Sequence, residues 1–294
     1  MTDAVILLNK PPGLSSFRAL AEVKRRLDTR RVGHAGTLDP FAEGLLIALA
    51  GAYTRLAVYA SAMDKEYVAA VTFGRTTDTL DPEGEVVGEG TVPKRPELEA
   101  VLPGFVGEIL QVPPAFSAVH VGGRRAYEAA RKGETVALAP RPVVIHALRL
   151  LDLVGAEAIF LIQCSRGTYI RSLARDIASR LGTVAYVRQL RRTRIGAFRV
   201  EEAVAPALFD PALHLIPADR FFAASNGLGS LVLKGAWVSL AAAGRSLTDA
   251  SFESPPVHDG TYGSFSPDGR LVAMTVRQNG AWSYAAVFAP GGRK

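Results

Sequence analysis

The chain has 294 residues, 48% of them hydrophobic, which is enough for a sizeable core and typical of one large domain with a smaller one. Its single cysteine, Cys164, excludes an internal disulfide and a zinc cluster built from cysteines, and the five histidines are scattered. No signal peptide or membrane-spanning run is predicted, because the apolar stretch 4–8 is too short and Arg55 interrupts the stretch 45–63. We therefore expect a cytoplasmic protein without a metal ion.

The net charge of +6 is distributed unevenly along the chain. Residues 1–199 hold 27 basic against 20 acidic side chains, whereas residues 200–294 hold 7 against 8. The segment 164–199 contains nine arginines and one acid, Asp176. Solvated charged faces usually mix both signs, so this segment predicts a polyanionic partner held by forked arginine contacts.

The first elements along the chain are predicted from apolar spacing and capping residues. A strand over 5–8 precedes a helix that Ser15 or Ser16 can cap. The inner side of this helix is predicted to carry Phe17, Leu20, Val23 and Leu27. A buried strand over 45–49, a helix over 54–62 and a strand over 67–73 follow, the last with Tyr67, Ala69, Val71 and Phe73 on one face.

The middle of the chain continues with irregular alternation of strands and helices, which favours an α+β fold over a doubly wound parallel one. Residues 81–84 read as a turn. The remaining predictions are a helix over 96–109, a basic helix over 122–132, adjacent strands over 143–153 and 158–164, and an amphipathic helix capped by Thr168 and ended by Gly182.

From about Gly227 the sequence changes to short apolar runs separated by glycine-rich turns. Asn279-Gly280 is typical of a tight hairpin turn that joins strands over 271–277 and 281–288. We therefore predict two domains, a large one over 1–226 and a small β-rich one over 227–294.

The octapeptide Gly33-His34-Ala35-Gly36-Thr37-Leu38-Asp39-Pro40 is the strongest candidate for a catalytic loop. Its glycines permit backbone conformations that other residues avoid, and Pro40 favours an extended Asp39. Considered alone, the pattern is more simply a turn in which Asp39 caps the segment that begins at Phe41.

Three further residues could build a site around Asp39. Tyr67 could stack on a planar ligand, although a tyrosine in a strand is more often a core residue. Arg171 falls in the first turn of a helix, where the dipole disfavours a cation; pairing with Asp39 would reverse that cost and lower the pKa of the carboxyl. The alternative is an exposed arginine on one face with Arg175. His34 shares the glycine-rich loop, although a lone histidine is more often structural.

Several motifs in this order resemble one family over residues 5–199. They are Asn9-Lys10-Pro11-Pro12-Gly13 with Ser15-Ser16, the loop 33–40, Lys65-Glu66-Tyr67, the acidic turn 77–84, Pro113 to Ala118, Gly123 to Arg131, Cys164 to Arg171, and Leu190-Arg191-Arg192. The sequence resembles the TruB family, the bacterial tRNA pseudouridine-55 synthases. The last 65 or so residues resemble the family only weakly and look like a short PUA-type RNA-binding domain.

The resemblance implies a pseudouridine synthase fold with a mixed, mainly antiparallel sheet flanked by helices. It implies that Asp39 is the nucleophile, that Tyr67 stacks on a flipped uracil, that Arg171 pairs with Asp39, and that His34, Tyr169 and Leu190 hold the extruded bases. The implied substrate is uridine 55 in the T arm of tRNA, with no cofactor, no membrane and no obligate protein partner, and with the chain acting as a monomer. Two features depart from the family: His120 replaces an expected lysine, and the C-terminal part of the chain, counted over residues 200–294, has no basic excess.

Two other functions remain open from the sequence. A nucleoside hydrolase or glycosidase could use Asp39 with Asp78 or Asp81 as the partner carboxylate. The chain could also be a non-catalytic RNA-binding protein, or the catalytic subunit of a guide-RNA ribonucleoprotein, which usually has longer and more basic termini.

Overall fold

The computed structural model describes residues 2–117, 120–121, 124–125, 138–225 and 227–288. The strands in these ranges are β1 (Ala4–Lys10), β2 (Val32–Ala35), β3 (Glu43–Ala50), β4 (Lys65–Phe73), β5 (Arg75–Thr77), β6 (Val86–Glu89), β7 (Gly107–Gln111), β8 (His120–Val121), β9 (Arg124–Arg125), β10 (Arg141–Val154), β11 (Glu157–Cys164), β12 (Ala185–Ile195), β13 (Phe198–Arg199), β14 (Leu228–Val232), β15 (Gly260–Phe265), β16 (Leu271–Gln278) and β17 (Ala281–Val287). The α-helices are α1 (Ser16–Ala19), α2 (Ala21–Arg26), α3 (Ala57–Ala62), α4 (Arg95–Val101), α5 (Ile170–Arg180), α6 (Ala218–Ala223) and α7 (Gly235–Ala242). None of the helices in this part of the chain is both long and apolar enough to cross a membrane.

A large mixed sheet forms the centre of the molecule, in the order β1-β3-β12-β4-β11-β10-β7, with β2 also paired to β3 and β13 to β12. The β3–β12 pair is parallel, and the other described pairs of this sheet are antiparallel. This confirms the α+β prediction. The parallel pair matters for the site because it places the start of β3, just after the loop 33–40, beside the middle of β12.

Alternation along β4 determines which side of the sheet the 11-residue helix α5 covers. Tyr67, Ala69, Val71 and Phe73 are buried on one face, as predicted, and they share a core with α5 residues, notably Ile170, Leu173 and Ile177. Burying this apolar stripe of α5 fixes the helix against the sheet. Its N-terminus therefore lies close to the start of β4.

The C-terminal residues form a second sheet in the order β14-β15-β16-β17. Asn279 and Gly280 have φ values of 51° and 76°, which fits the predicted tight turn between β16 and β17. Part of the core of this sheet is a cluster of its own that includes Leu231 and Val272, and part is shared with the central sheet. Phe265 and Met274 share a buried cluster with Val5 and Ile47 of the central sheet. The domain boundary between residues 226 and 227 stays a prediction. Residues on both sides of it pack in one buried cluster.

Two helix predictions were wrong in extent. The predicted helix over 96–109 ends at Val101, because Pro103-Gly104 form a short 3-10 turn and β7 begins at Gly107. The segment before α3 is likewise a 3-10 helix over Gly51–Leu56 rather than part of one α-helix. The predicted basic helix over 122–132 extends beyond the described residues.

Two details at helix starts also differ from the predictions. The first helix is split at Leu20 into α1 and α2, so one helical period does not run through it, and Phe17 is 69% exposed instead of buried. Ser15 caps α1. The residue preceding α5 is Tyr169, whereas Thr168 hydrogen-bonds the carbonyl of Ser165.

Candidate active site

The loop that carries Asp39 is held by side chains from three other segments. Lys10, at the end of β1, is buried and donates to the carbonyl of Pro40 at 3.2 Å. The Ser16 hydroxyl donates to the carbonyl of Leu38 and accepts from its N–H, each at 2.9 Å. Arg192 of β12 donates to the carbonyl of Gly36 at 2.9 Å. The N-terminal motif therefore serves as the support of the catalytic loop, which fixes the position of Asp39.

Arg171 joins two carboxylates beneath the cleft. Its Nε lies 3.0 Å from Asp39 Oδ2 and its Nη1 lies 3.0 Å from Asp81 Oδ2. Further donations to the carbonyls of Thr79 and Phe116 hold the guanidinium, which is 4% exposed. The predicted pair of Asp39 with Arg171 is present in the structure. The alternative of an exposed Arg171 is wrong.

Burial changes the expected ionisation of Asp39. Its pKa is raised above the ordinary value, first because burial disfavours the carboxylate and also because Asp81 adds a like charge; Arg171 opposes both effects. The prediction that pairing lowers this pKa is therefore wrong in its net direction. The Asp39 side chain is 34% exposed and lines the cleft, so its carboxylate can contact a substrate.

A cleft of about 690 Å³ opens above Asp39. Tyr67, Tyr169, Arg171 and Leu190 also line it, so the structure brings together five of the six predicted site residues. Tyr67 and Leu190 lie on the neighbouring strands β4 and β12, and Tyr169 directly precedes α5. Burial raises the pKa of the Tyr67 phenol, which makes this group a poor base at neutral pH and leaves its ring as the useful surface.

His34 lies apart from this group. It sits on β2 opposite Ala48 and is not among the residues that line the cleft. Burial, followed by the charge of Arg192, lowers the pKa of its imidazole, so the neutral form is favoured. Its assignment to the residues that hold extruded bases stays a prediction.

Four charged residues near the site are not among the site residues that were predicted from the sequence. Lys65 and Arg192 are buried and line the cleft, Lys10 supports the loop, and Asp81 binds Arg171. The sequence places Asp81 in the acidic turn 77–84 and offers it as the partner carboxylate of a hydrolase, but not as a partner of Arg171. The available signal was a charged residue within an apolar strand pattern, as in Lys10 after the apolar run of β1 and Arg192 in β12. Charged residues are almost never fully buried unless paired, so such positions are informative.

The nine arginines of 164–199 do not form one continuous basic surface. Arg171 and Arg192 are buried. Four others pair with acids: Arg175 with Asp176, Arg188 with Glu157, Arg191 with Glu43 and Arg194 with Glu66. Within the described ranges, three make no salt bridge: Arg166, Arg180 and Arg199. Of these, Arg166 lines the cleft. The charge available to a polyanion is therefore smaller than the composition suggested.

Solved structures show how this fold is shared. A Cbf5–Nop10–Gar1 complex matches with a TM-score of 0.74 at 24% identity, over 98% of this chain and 85% of that one. An H/ACA RNP bound to a substrate RNA containing 2′-deoxyuridine matches with a TM-score of 0.73 at 23% identity, over the same shares of the two chains. The fold, with its mixed sheet and the cleft above Asp39, is that of the pseudouridine synthases.

Sequence comparison identifies the family. Residues 24–170 match the model described as TruB family pseudouridylate synthase (N terminal domain), and residues 171–214 match the tRNA pseudouridylate synthase B C-terminal domain. A tRNA pseudouridine synthase B from Borreliella burgdorferi is 45% identical over 69% of this chain and 73% of its own. One from Thermobifida fusca is 38% identical over 98% of this chain and 99% of its own. The chain belongs to the TruB family of pseudouridylate synthases, as the motifs predicted.

Proposed function

We propose that this enzyme isomerises uridine 55 in the T arm of tRNA to pseudouridine, with Asp39 as the nucleophile. The observation that carries the proposal is a single accessible carboxylate, Asp39, held by buried Arg171 in a cleft whose wall includes Tyr67. Relatives named tRNA pseudouridine synthase B support the substrate class. The reaction has no net redox change and requires no cofactor.

The cleft suits an extruded nucleotide. Its volume of about 690 Å³ lies in the range of about 300–1,000 Å³ typical of small-ligand pockets. Flipping a base out of the folded T loop costs a few kcal/mol, and stacking on an aromatic ring returns about 1–3 kcal/mol per base. Tyr67 supplies such a ring, and Tyr169 and Leu190 supply further surface for the base. The positively charged Arg166 and Arg141 line the same cleft and are suited to phosphate groups.

The decisive experiment uses tRNA carrying tritium at uracil C5. The wild-type chain should release tritium to water, whereas Asp39→Asn should release none and still bind tRNA. Asp219→Asn, an exposed acid on α6, is the matched control and should keep full activity. Absence of release from the wild type would contradict the synthase proposal, and free uracil would favour the hydrolase. A transcript with cytidine at position 55 tests the site of modification.

The enzyme is further proposed to act alone, as a cytoplasmic monomer. Structural neighbours are described in complexes with other proteins, but the Thermobifida fusca relative aligns with this chain over nearly its whole length. Light scattering on the purified chain should give the mass of one chain, and the same sample should convert tRNA without added protein. Activity that appears only after a cell extract is added would contradict this.

The residues after Gly227 are proposed to form a PUA-like RNA-binding domain. The support is the four-stranded sheet β14-β15-β16-β17 and its position at the end of the chain. Because residues 227–294 hold only 6 basic against 4 acidic side chains, we expect this segment to add little to the salt dependence of tRNA binding. Reversing the charge of Lys234 to Glu and measuring the salt dependence of the Kd tests this.

A further inference from the structure

Two buried cations line the cleft without an acidic partner. Lys65 is 6% exposed and Arg192 is 1% exposed, and in the described part of the chain neither forms a salt bridge. Lys65 Nζ donates to the carbonyl of Ser61 at 2.5 Å and to that of Met63. Arg192 donates to the carbonyls of Leu45 and Gly36 at 2.7 and 2.9 Å. A buried charge without a partner destabilises the folded protein, so a contribution to stability does not explain these two cations.

Both cations lie next to the proposed position of the base. Lys65 and Tyr67 are two residues apart on β4 and therefore lie on the same face of the sheet. Arg192 on β12 pairs with Tyr67 in the strand register. A methyl group built on Gly36 would lie 3.6 Å from Arg192 Nη1 and 3.9 Å from Lys65 Cε. The cations therefore reach the backbone of the loop that carries Asp39. A base that contacts both Tyr67 and Asp39 therefore lies beside Lys65 and Arg192.

Lys65 remains largely charged at neutral pH. Burial lowers the pKa of its ammonium to about 8, and the neighbouring charge of Arg192 acts in the same direction. The adjacent carboxylate of Asp64 lies 3.2 Å from His146. Arg166 and Cys164 are the other ionisable groups close to Lys65.

The reaction places negative charge on the ring that these cations face. In the isomerisation the N1–C1′ bond breaks with its electron pair on N1, and the charge spreads over O2 and O4. A bond then forms between C1′ and C5, the C5 proton leaves, and N1 gains a proton, so atoms and charge balance. If Asp39 instead adds to C6, the electron pair of the C5=C6 bond moves onto C5 and O4. Each route therefore creates an anionic uracil.

We propose that Lys65 is a catalytic residue that stabilises the anionic uracil through its free N–H, and that Arg192 is a positioning residue that holds Tyr67 and the Gly36 carbonyl around it. The inference rests on the proposed function. Donors and charges arranged in advance, in a site that excludes water, are worth more to a developing anion than the same groups in water. Since Lys65 forms no salt bridge in the described part of the chain, no acid there neutralises its charge before the substrate binds.

The test is single-turnover conversion of tRNA by Lys65→Gln, which keeps N–H donors and loses the charge. The rate should fall by up to about 10²–10³-fold, the upper limit being the loss expected when a group that stabilises a developing anion is removed outright, while the tRNA Kd changes little. Lys65→Arg keeps the charge and should recover part of the rate. Lys24→Gln, on α2 and outside the cleft, is the matched control and should equal the wild type.

Replacing the target uridine by 5-fluorouridine distinguishes charge stabilisation from a structural role. Fluorine stabilises the ring anion by itself, so the deficit of Lys65→Gln should shrink by about tenfold or more, followed as loss of the starting nucleoside after nuclease digestion. An equal deficit on both substrates, a loss confined to Kd, or equal losses in the glutamine and arginine variants with unchanged melting temperatures would overturn the inference. Wild-type activity in the same assay keeps the proposed function separate from this result.

Discussion

Asp39 has neighbours that act on its pKa in opposite directions, which makes its ionisation testable residue by residue. In the proposed reaction the carboxylate of Asp39 is the reactive form, so activity should fall as pH drops through its raised pKa. Asp81→Asn removes a like charge, so the pKa of Asp39 should fall and the acid limb of kcat/KM should move to lower pH. Arg171→Gln removes the opposite charge, so the limb should move to higher pH, and kcat should drop by about 10²-fold or more.

Single-turnover rates across the acid range measure both shifts. Asparagine retains an oxygen that can accept from Arg171, so Asp81→Asn should leave the guanidinium in place. If the acid limb of the pH profile moved in the same direction in both variants, the arrangement of Asp39 between Arg171 and Asp81 would be contradicted.

Ser16 gives a second prediction at this scale, with its neighbour as the control. Ser16→Ala removes both buried hydrogen bonds to Leu38. It should lower the free energy of unfolding by roughly 1–3 kcal/mol, because Leu38 is left with unpaired backbone groups. The displaced loop should lower kcat by up to about 10²-fold.

Ser15→Ala separates stability from catalysis. The Ser15 hydroxyl accepts from the N–H of Arg18, at 3.3 Å, as the cap of α1. Losing a cap costs about 1 kcal/mol and should leave kcat unchanged. Urea unfolding should therefore show a loss of stability in both variants, whereas single-turnover rates should fall only in Ser16→Ala. Equal catalytic losses would show that the hydroxyl of Ser16 has no special role.

At the scale of elements, the parallel pairing of β3 with β12 depends on Gly44. Its φ is +104°, and a methyl group there would lie 2.3 Å from the carbonyl oxygen of Arg192. Gly44→Ala should cost roughly 2–4 kcal/mol of stability through strain and overpacking, and it should lower activity by displacing Arg192. Gly104→Ala has open space and an ordinary φ and should change neither. Thermal unfolding of the two variants checks this, and an unaffected Gly44→Ala would contradict it.

Most strands of the central sheet could be predicted from the sequence, whereas one helix end and several side-chain contacts could not. Strands β1, β3, β4, β10 and β11 were predicted because apolar runs or strict alternation specify them locally. The helix over 96–109 was overextended although Pro103-Gly104 signalled its end. Asp39, Tyr67 and Arg171 could be predicted from motifs. The contacts of Lys10 with the Pro40 carbonyl and of Arg192 with the Gly36 carbonyl could not, because they join segments that the β1–β3 and β3–β12 pairings bring together.

At the scale of the whole molecule, the C-terminal sheet and the central sheet should unfold together. Phe265 packs edge-on against Phe222 of α6, with ring centroids 5.3 Å apart, inside the cluster that also contains Val5 and Ile47. Deleting the residues after Gly227 would expose this cluster, so loss of activity in such a truncation would report unfolding as well as lost RNA contacts. Phe265→Ala keeps the chain complete and should cost about 3–5 kcal/mol.

The two tryptophans, Trp237 and Trp282, both lie in the C-terminal part, so their fluorescence reports that part alone. If the shared core couples the two parts, tryptophan fluorescence and catalytic activity should be lost at the same urea concentration, and Phe265→Ala should lower both midpoints equally. Val257→Ala, at a side chain that is 86% exposed, should move neither. A variant whose fluorescence changes first while tRNA conversion persists would show that the C-terminal sheet folds independently, because only a separate core lets one part open without the other.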